Sequence, residues 1–192
     1  MNDTLATTLE DRGMELVRVA NAETALEWIK QSIPPGSSVM HGSSATLREI
    51  GFTDYLRSKD HPWTYLKDTI AAEDDSDARA RLRREASLAD YYLGSVHALS
   101  ETGQALIASG TGSQLGAYAY TAPHVIWVVG KQKLVANLDA AWRRLTEVAL
   151  PRHAAEFNTT APDNLGKALL FEREISPSRT VTVLLVDSEL GW

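Results

Sequence analysis

ADYYLGSVHALSETGQALIASGTGSQLGAYAYTAPHVIWVVGKQK, residues Ala89–Lys133, holds two apolar runs with strand character, Gln104–Ala108 and Val125–Val129. Between them lies a turn of small residues, Ser109-Gly110-Thr111-Gly112-Ser113-Gln114, whose glycines let the backbone fold tightly. Asp90–Val96 adds a strand candidate just upstream. A run such as Val125–Val129, apolar on both alternating faces, suits a strand covered on two sides rather than one. Thr180–Val186 (TVTVLLV) has the same character.

Working outward, the rest of the chain continues an alternation of strands and helices. Asn2–Asp11 reads as a short helix ended by Gly13, and Glu15–Val19 as a strand. Asn21 is a good N-cap for a helix whose apolar residues Ala22, Ala25, Leu26, Ile29 and Ile33 recur at helical spacing. Pro34-Pro35-Gly36 stops it, and Ser38–Met40 follows as a brief buried strand. Residues 51–63 are polar and short-helical, and Glu73–Leu88 is a charged surface helix with acids in its first turn. Its arginines Arg79, Arg81, Arg83 and Arg84 do not share one face, so a solvated helix with ion pairs is expected rather than a phosphate site. Downstream, Leu134–Val148 is an amphipathic helix that Pro151 should end. A loop is expected near Thr159–Asn164, and helix at Leu165–Phe171. There is no repeat or interdomain linker, so residues 1–192 read as a single α/β domain with a mainly parallel sheet in a three-layer α/β/α arrangement.

Composition narrows the function. The 192 residues, 44% hydrophobic and 23% charged, suffice for a sizeable core. Twenty-five acids against 19 bases give a formal net charge of −6, which argues against broad binding to nucleic acid or an anionic membrane. The absence of cysteine excludes disulfides, thiolate nucleophiles and Cys-ligated zinc or iron–sulfur centres. The polar N-terminus has no signal-like apolar core and no run approaches the ~20 apolar residues of a membrane span, so a cytoplasmic protein is expected. The five histidines, 41, 61, 97, 124 and 153, show no metal-ligand spacing. No metal and no resident cofactor is expected.

Candidate binding residues cluster in three places. After the strand ending at Met40 comes His41-Gly42-Ser43-Ser44-Ala45-Thr46, a glycine and hydroxyl turn leading into a helix. Such a turn can offer N–H groups to an anion at the carboxyl end of a strand, or Ser43 or Ser44 can simply cap the helix. Ser109, Gly110, Thr111 and Gly112 allow close backbone approach to a phosphate or carboxylate, or relieve crowding in a tight loop. Glu101 is a carboxylate that can serve as a nucleophile or ligand contact, while Gly103 beside it suits a turn with positive φ. His97, shortly before Glu101, is a candidate proton carrier, or a hydrogen-bonded structural histidine. Tyr118 and Tyr120 pack in the core or line a cavity wall. A small anionic metabolite is the expected ligand, with Arg48 or Lys131 as a cation to offset Glu101. Homo-oligomerisation is left open.

Several of these elements together resemble the LUD domain, the family of lactate utilisation protein C, formerly a domain of unknown function. The resemblance rests on Ala89-Asp90-Tyr91, Gly94-Ser95, Ala98, Ser100-Glu101-Thr102-Gly103, Ser109-Gly110-Thr111-Gly112, and Val125–Gly130 followed by a basic turn and helix. Gly42-Ser43-Ser44 with Glu49-Ile50-Gly51 is similar to the family's earlier signature, and Thr180–Val186 with Glu189-Leu190-Gly191 to its end. The resemblance implies a fold like that of ribose-5-phosphate isomerase, glucosamine-6-phosphate deaminase and the class I CoA transferases. It also implies an accessory role in oxidation of L-lactate to pyruvate, beside iron–sulfur oxidoreductase partner proteins. Some relatives carry a cysteine cluster near the last third, and Phe157–Glu172 has none. Ser100-Glu101-Thr102-Gly103 is similar to the Ser-Glu-Asn-Gly motif of class I CoA transferases, whose glutamate attacks an acyl group, with Thr102 in place of the asparagine. That similarity keeps open a small-molecule enzyme of the isomerase or CoA-transferase type, and a small-anion sensor stands beside it.

Overall fold

Successive residues of a strand point to opposite faces, so a segment apolar at every position needs cover on both. The computed structural model, which describes residues 4–159 and 165–192, supplies that cover. Strand β7 (His124–Gly130) lies inside a six-stranded sheet in the order β1 (Glu15–Val19), β10 (Thr180–Val186), β7, β4 (Tyr91–Gly94), β2 (Ser38–His41), β3 (Thr64–Tyr65). Every neighbouring pair in it is parallel. Ile126 and Val128 of β7, with Leu184 and Val186 of β10, pack against α2 (Ala22–Ser32), α3 (Ala45–Glu49) and α4 (Phe52–Ser58). Val125, Trp127 and Val129, with Val181, Val183 and Leu185, face the other way, towards α1 (Thr4–Glu10) and a second sheet. Helices thus cover the mainly parallel sheet in a three-layer α/β/α arrangement, as the alternation predicts.

The second sheet is the departure. It has four strands in the order β8 (Leu134–Val135), β5 (Ala98–Ser100), β6 (Ala105–Ser109), β9 (Lys167–Phe171). The run at 104–108 is a strand, but it pairs antiparallel with β5 and β9 and stays out of the parallel sheet. Only Glu101–Gln104 separate β5 from β6, and a parallel partner needs a crossover of a dozen or more residues. The expected strand Asp90–Val96 ends at Gly94, and a separate strand that was not expected, Ala98–Ser100, begins beyond it. Residues 91–94 belong to the main sheet and 98–100 to the second. Lys167–Phe171, expected as helix, is the exposed edge strand β9. The expected loop near Thr159–Asn164 lies, beyond Thr159, outside the described residues.

Local chemistry explains most helix boundaries. The Asn21 side chain accepts from the Thr24 N–H at 2.9 Å, and Thr24 returns a bond to the Asn21 backbone, a capping box at the start of α2. Helix α5 (Leu66–Ala72) was not foreseen from the sequence. Helix α6 (Ser76–Glu85), capped by Asp75, buries none of its residues, in keeping with a solvated charged helix. Pro151 behaves differently from expectation. Helix α7 (Leu138–Arg144) passes through a π-helical turn, Leu145–Ala149, directly into α8 (Leu150–Phe157). In a regular α-helix a proline removes one hydrogen bond and clashes with the carbonyl four residues back. The wider turn, with Leu150 N–H reaching Leu145 O, relieves that conflict, so the helix continues past the proline. Ala141, Leu145, Ala149 and Leu150 then cover the outer face of the second sheet at Ala98, Leu106 and Ala108. No helix among the described residues is long and apolar enough to cross a membrane.

Candidate functional site

Parallel strands place their carboxyl ends on one edge, and here four of the loops leaving them meet. Ser43–Thr46 follow β2, Ser95–His97 follow β4, Lys133 follows β7 and Trp192 follows β10; all line a cavity of about 280 Å³. The loop after β6, Ser109–Thr111 with Ser113 and Gln114, closes another side, and Leu150 and His153 of α8 another.

Lys133 is the centre of this arrangement. It is only 3% exposed, and its Nζ donates to Thr46 Oγ1 at 2.9 Å and Ser95 Oγ at 3.0 Å. Among the described residues it forms no ion pair. A one-turn 3₁₀ segment, Lys131–Lys133, divides the two lysines. Lys131 turns outward to Asp187 at 3.1 Å, and Lys133 turns inward. Gln132 between them holds the C-terminal segment, accepting from Leu190 N–H at 3.2 Å and donating to Leu190 O at 2.8 Å. Gly191, at φ +67°, lets that segment pass over the lysine. A Cβ there would stand 2.4 Å from Thr46 Oγ1 and 3.2 Å from Lys133 Nζ.

The electrostatics are cationic and poorly hydrated. Burial, reinforced by the Arg144 guanidinium and opposed by Glu49, brings the Lys133 ammonium down to about 7. Arg144 is itself buried and braces the backbone, donating to Gln132 O at 3.0 Å and His97 O at 2.6 Å. His97 Nδ1 accepts the Ala108 N–H at 3.1 Å, so the neutral ring carries its proton on Nε2. Burial first, then Lys133, Arg144 and His153, lower His97 to about 3. The buried His153 Nδ1 has no hydrogen-bond partner among the described residues, and its ring lies 5.8 Å from Trp192. Among the described residues no Asp or Glu lines the cavity.

Tyr118 forms the wall nearest the core. It is 2% exposed and packs edge-to-face on Tyr92 and Trp127. Its hydroxyl fills the space where residue 94 lacks a side chain, since a Cβ on Gly94 would lie 1.6 Å from that oxygen. Gly94→Ala is therefore expected to destabilise the fold by about 1–3 kcal/mol, through displacement of the Tyr118 ring. A urea denaturation midpoint within error of wild type would show that the ring moves aside freely.

A second buried histidine sits behind the β2 loop. His41 Nε2 is 2.8 Å from the Tyr65 hydroxyl, and Lys67 Nζ is 3.3 Å from both ring nitrogens. Burial, then Lys67 and more weakly Arg57, against a bond to Gly42 O, lower it from 6.5 to about 4. Between those values the unfolded chain binds more protons than the folded one, so stability falls as pH drops through that window. Wild type should lose denaturant resistance between pH 6.5 and 4, and His41→Gln should lose it less steeply. Parallel curves would show that this histidine is charged in the fold.

The structure brings Ser43, Ser44, Thr46, His97, Ser109, Gly110 and Thr111 together in the cavity walls. Ser44 also caps α3, accepting from Leu47 N–H at 3.2 Å. Gly42 lies against Gln114, and Gly112 donates its N–H to Ser109 Oγ at 2.9 Å, so both shape the walls from behind. Glu101 and Gly103, the third place where candidate residues cluster, do not join them, which corrects their assignment as site residues. They form the β5–β6 turn, with Glu101 exposed and Gly103 at φ +87° against Arg12. The hairpin puts that turn at the end of β6 opposite Ser109, ~13 Å along the strand. Arg48 and Lys131, expected as the site's cations, pair instead with Glu156 and Asp187. Tyr120 is 79% exposed. Lys133, Ser95, His153 and Trp192 were missed. The basic turn after Val125–Gly130 was the available signal for Lys133, and nothing local distinguished the others.

Comparison with known proteins agrees with this architecture. A solved structure of a DUF162 family protein from Deinococcus radiodurans superposes with a TM-score of 0.52 at 12% identity, covering 95% of this chain and 94% of that one. No curated protein matches the chain closely. The LUD domain matches residues 3–186, nearly the whole sequence, and the chain belongs to the LUD domain family.

Proposed function

We propose that the cavity binds a small carboxylate of the 2-hydroxy- or 2-oxo-acid class, and that the chain serves L-lactate oxidation to pyruvate as an accessory protein. The observation that carries this reading is Lys133, a lysine buried in a cavity wall whose hydrogen-bond partners among the described residues are two hydroxyls. Transfer of a charged amine out of water is unfavourable unless a counter-charge offsets it, and a bound carboxylate is such a counter-charge. The hydroxyl of Thr111 and the Nε2–H of His97 add donors for the remaining oxygens, while the Ser109 hydroxyl donates to Gln114 Oε1 at 3.0 Å and braces the loop. The family's relation to lactate utilisation proteins supports the choice of acid, with iron–sulfur oxidoreductases as the electron-transferring partners. An enzyme of the isomerase or CoA-transferase type needs a carboxylate at the reacting centre. The cavity offers none among its described walls, which favours holding or sensing the anion.

Titration calorimetry of L-lactate, pyruvate, inorganic phosphate and CoA tests this directly. Wild type should bind lactate or pyruvate, and Lys133→Met should weaken that binding ~10–100-fold, the usual worth of one charge-assisted hydrogen bond. Affinity should fall as pH rises above about 7, where the free lysine loses its proton. If none of the four binds, the chain acts through its protein partners alone.

A further inference from the structure

The same lysine has a chemistry that ion pairing does not use. Lys133 lines the cavity, its Nζ is held by two alcohols, and among the described residues no carboxylate is bonded to it to fix a proton on the nitrogen. Amines in desolvated, cationic surroundings keep a free lone pair near neutrality, the condition for attack on a carbonyl. Lys131, two residues away, is by contrast exposed to water and paired with Asp187.

We propose that Lys133 forms a reversible imine with a small aldehyde or 2-oxo acid bound in the cavity. This rests on the cavity being the binding site, and it narrows the ligand to a compound with a free carbonyl. The nitrogen lone pair attacks the carbonyl carbon, a C–N bond forms, and the oxygen takes a proton to give a carbinolamine. The nitrogen then expels that oxygen, protonated, as water, leaving a C=N bond, with no net oxidation or reduction. Thr46 and Ser95, already hydrogen-bonded to Nζ, are placed to pass the protons between nitrogen and oxygen.

Charge favours the product as well as the attack. A protonated imine puts a positive charge where the ammonium would otherwise be, next to the carboxylate of a 2-oxo acid. The pairing that holds the anion therefore survives the covalent step. The depressed proton affinity of Lys133 supports the attack, since about half the free amine is unprotonated near pH 7. Glu49, the one acid felt at this nitrogen, is bonded to the Gly191 N–H at 2.6 Å.

The test is trapping with sodium cyanoborohydride in the presence of pyruvate, followed by peptide mass mapping. Wild type should carry one carboxyethyl group, on Lys133, in preference to Lys131, Lys59 and Lys30. L-lactate, which has no ketone or aldehyde group, should give no adduct and should compete. Lys133→Arg keeps a cation but cannot form the imine; it should lose the adduct, and its pyruvate binding by calorimetry should weaken less than that of Lys133→Met. Lys133→Met, similar in size to lysine, serves if the arginine variant does not fold; it should lose the adduct and show the weakened binding expected above. Pyruvate binding without an adduct on Lys133, or labelling spread evenly over the lysines, overturns the imine and leaves the anion site standing. Neither binding nor an adduct overturns both.

Discussion

Arg179→Ala should lower stability by about 3–5 kcal/mol, the range for removing one partner of a buried ion pair. The Arg179 and Glu174 side chains are each 7% exposed and meet at 2.6 Å. All the nitrogens of the guanidinium are in use. Nε donates to Ala122 O, and the two terminal nitrogens to Ala117 O, Tyr118 O and Ala119 O, at 3.0–3.2 Å. These carbonyls belong to or follow the π-helical segment Ala117–Thr121, whose unusual bonding leaves acceptors that a helix would normally satisfy itself. Without the arginine, Glu174 keeps only the N–H groups of Ile175 and Ser176, and its charge remains buried. Lysine lacks the planar fork, so Arg179→Lys should recover only part of the loss. The segment carries Tyr118 into the cavity wall, so anion affinity should fall with stability. A denaturant midpoint unchanged by Arg179→Ala would show that water replaces the guanidinium at these carbonyls.

Lys133→Met should act in the opposite direction and raise stability by on the order of a few kcal/mol at pH 6. Below about 7 the lysine is charged in both folded and unfolded states, and the folded state carries its full desolvation penalty. From there to its ordinary value of 10.5 the unfolded chain binds more protons, so wild-type stability rises with pH. The methionine variant has no such slope, and its advantage should shrink by pH 10. Paired urea titrations at pH 6 and pH 10 measure both numbers. A variant less stable than wild type at both values would show that the lysine is a brace between the β2 and β4 loops. Destabilisation of the fold by a residue placed for binding would be the usual stability–activity conflict, and this pair of titrations tests for it.

The legible part of this chain was local. The two-faced apolar runs at Val125–Val129 and Thr180–Val186 announced a covered parallel sheet, and Asn21 announced its helix. The turns Ser43–Thr46 and Ser109–Thr111 were recognisable as site material because glycines and hydroxyls beside strand ends have few other uses. Glu101 misled because motif similarity outweighed a simpler fact, the four-residue connection that forces a hairpin. His153 was lost because Pro151 was read as a stop, and only the π-helical turn carries the helix on to the cavity.

The sequence by itself determined the α/β class, the faces of the strands, most helix starts and the position of two binding loops. These depend on backbone preference and on neighbours a few residues away. Tertiary structure alone decided which cation serves the site. Lys131 and Lys133 are equivalent as sequence, two residues apart in one basic turn. One meets Asp187 in solvent, while the other meets hydroxyls 87 and 38 residues away in a cavity closed by the chain's last segment. Whether a lysine is a solvated charge or a buried amine is set by how much water the packing removes around it, and that packing is assembled from parts of the chain no local pattern connects.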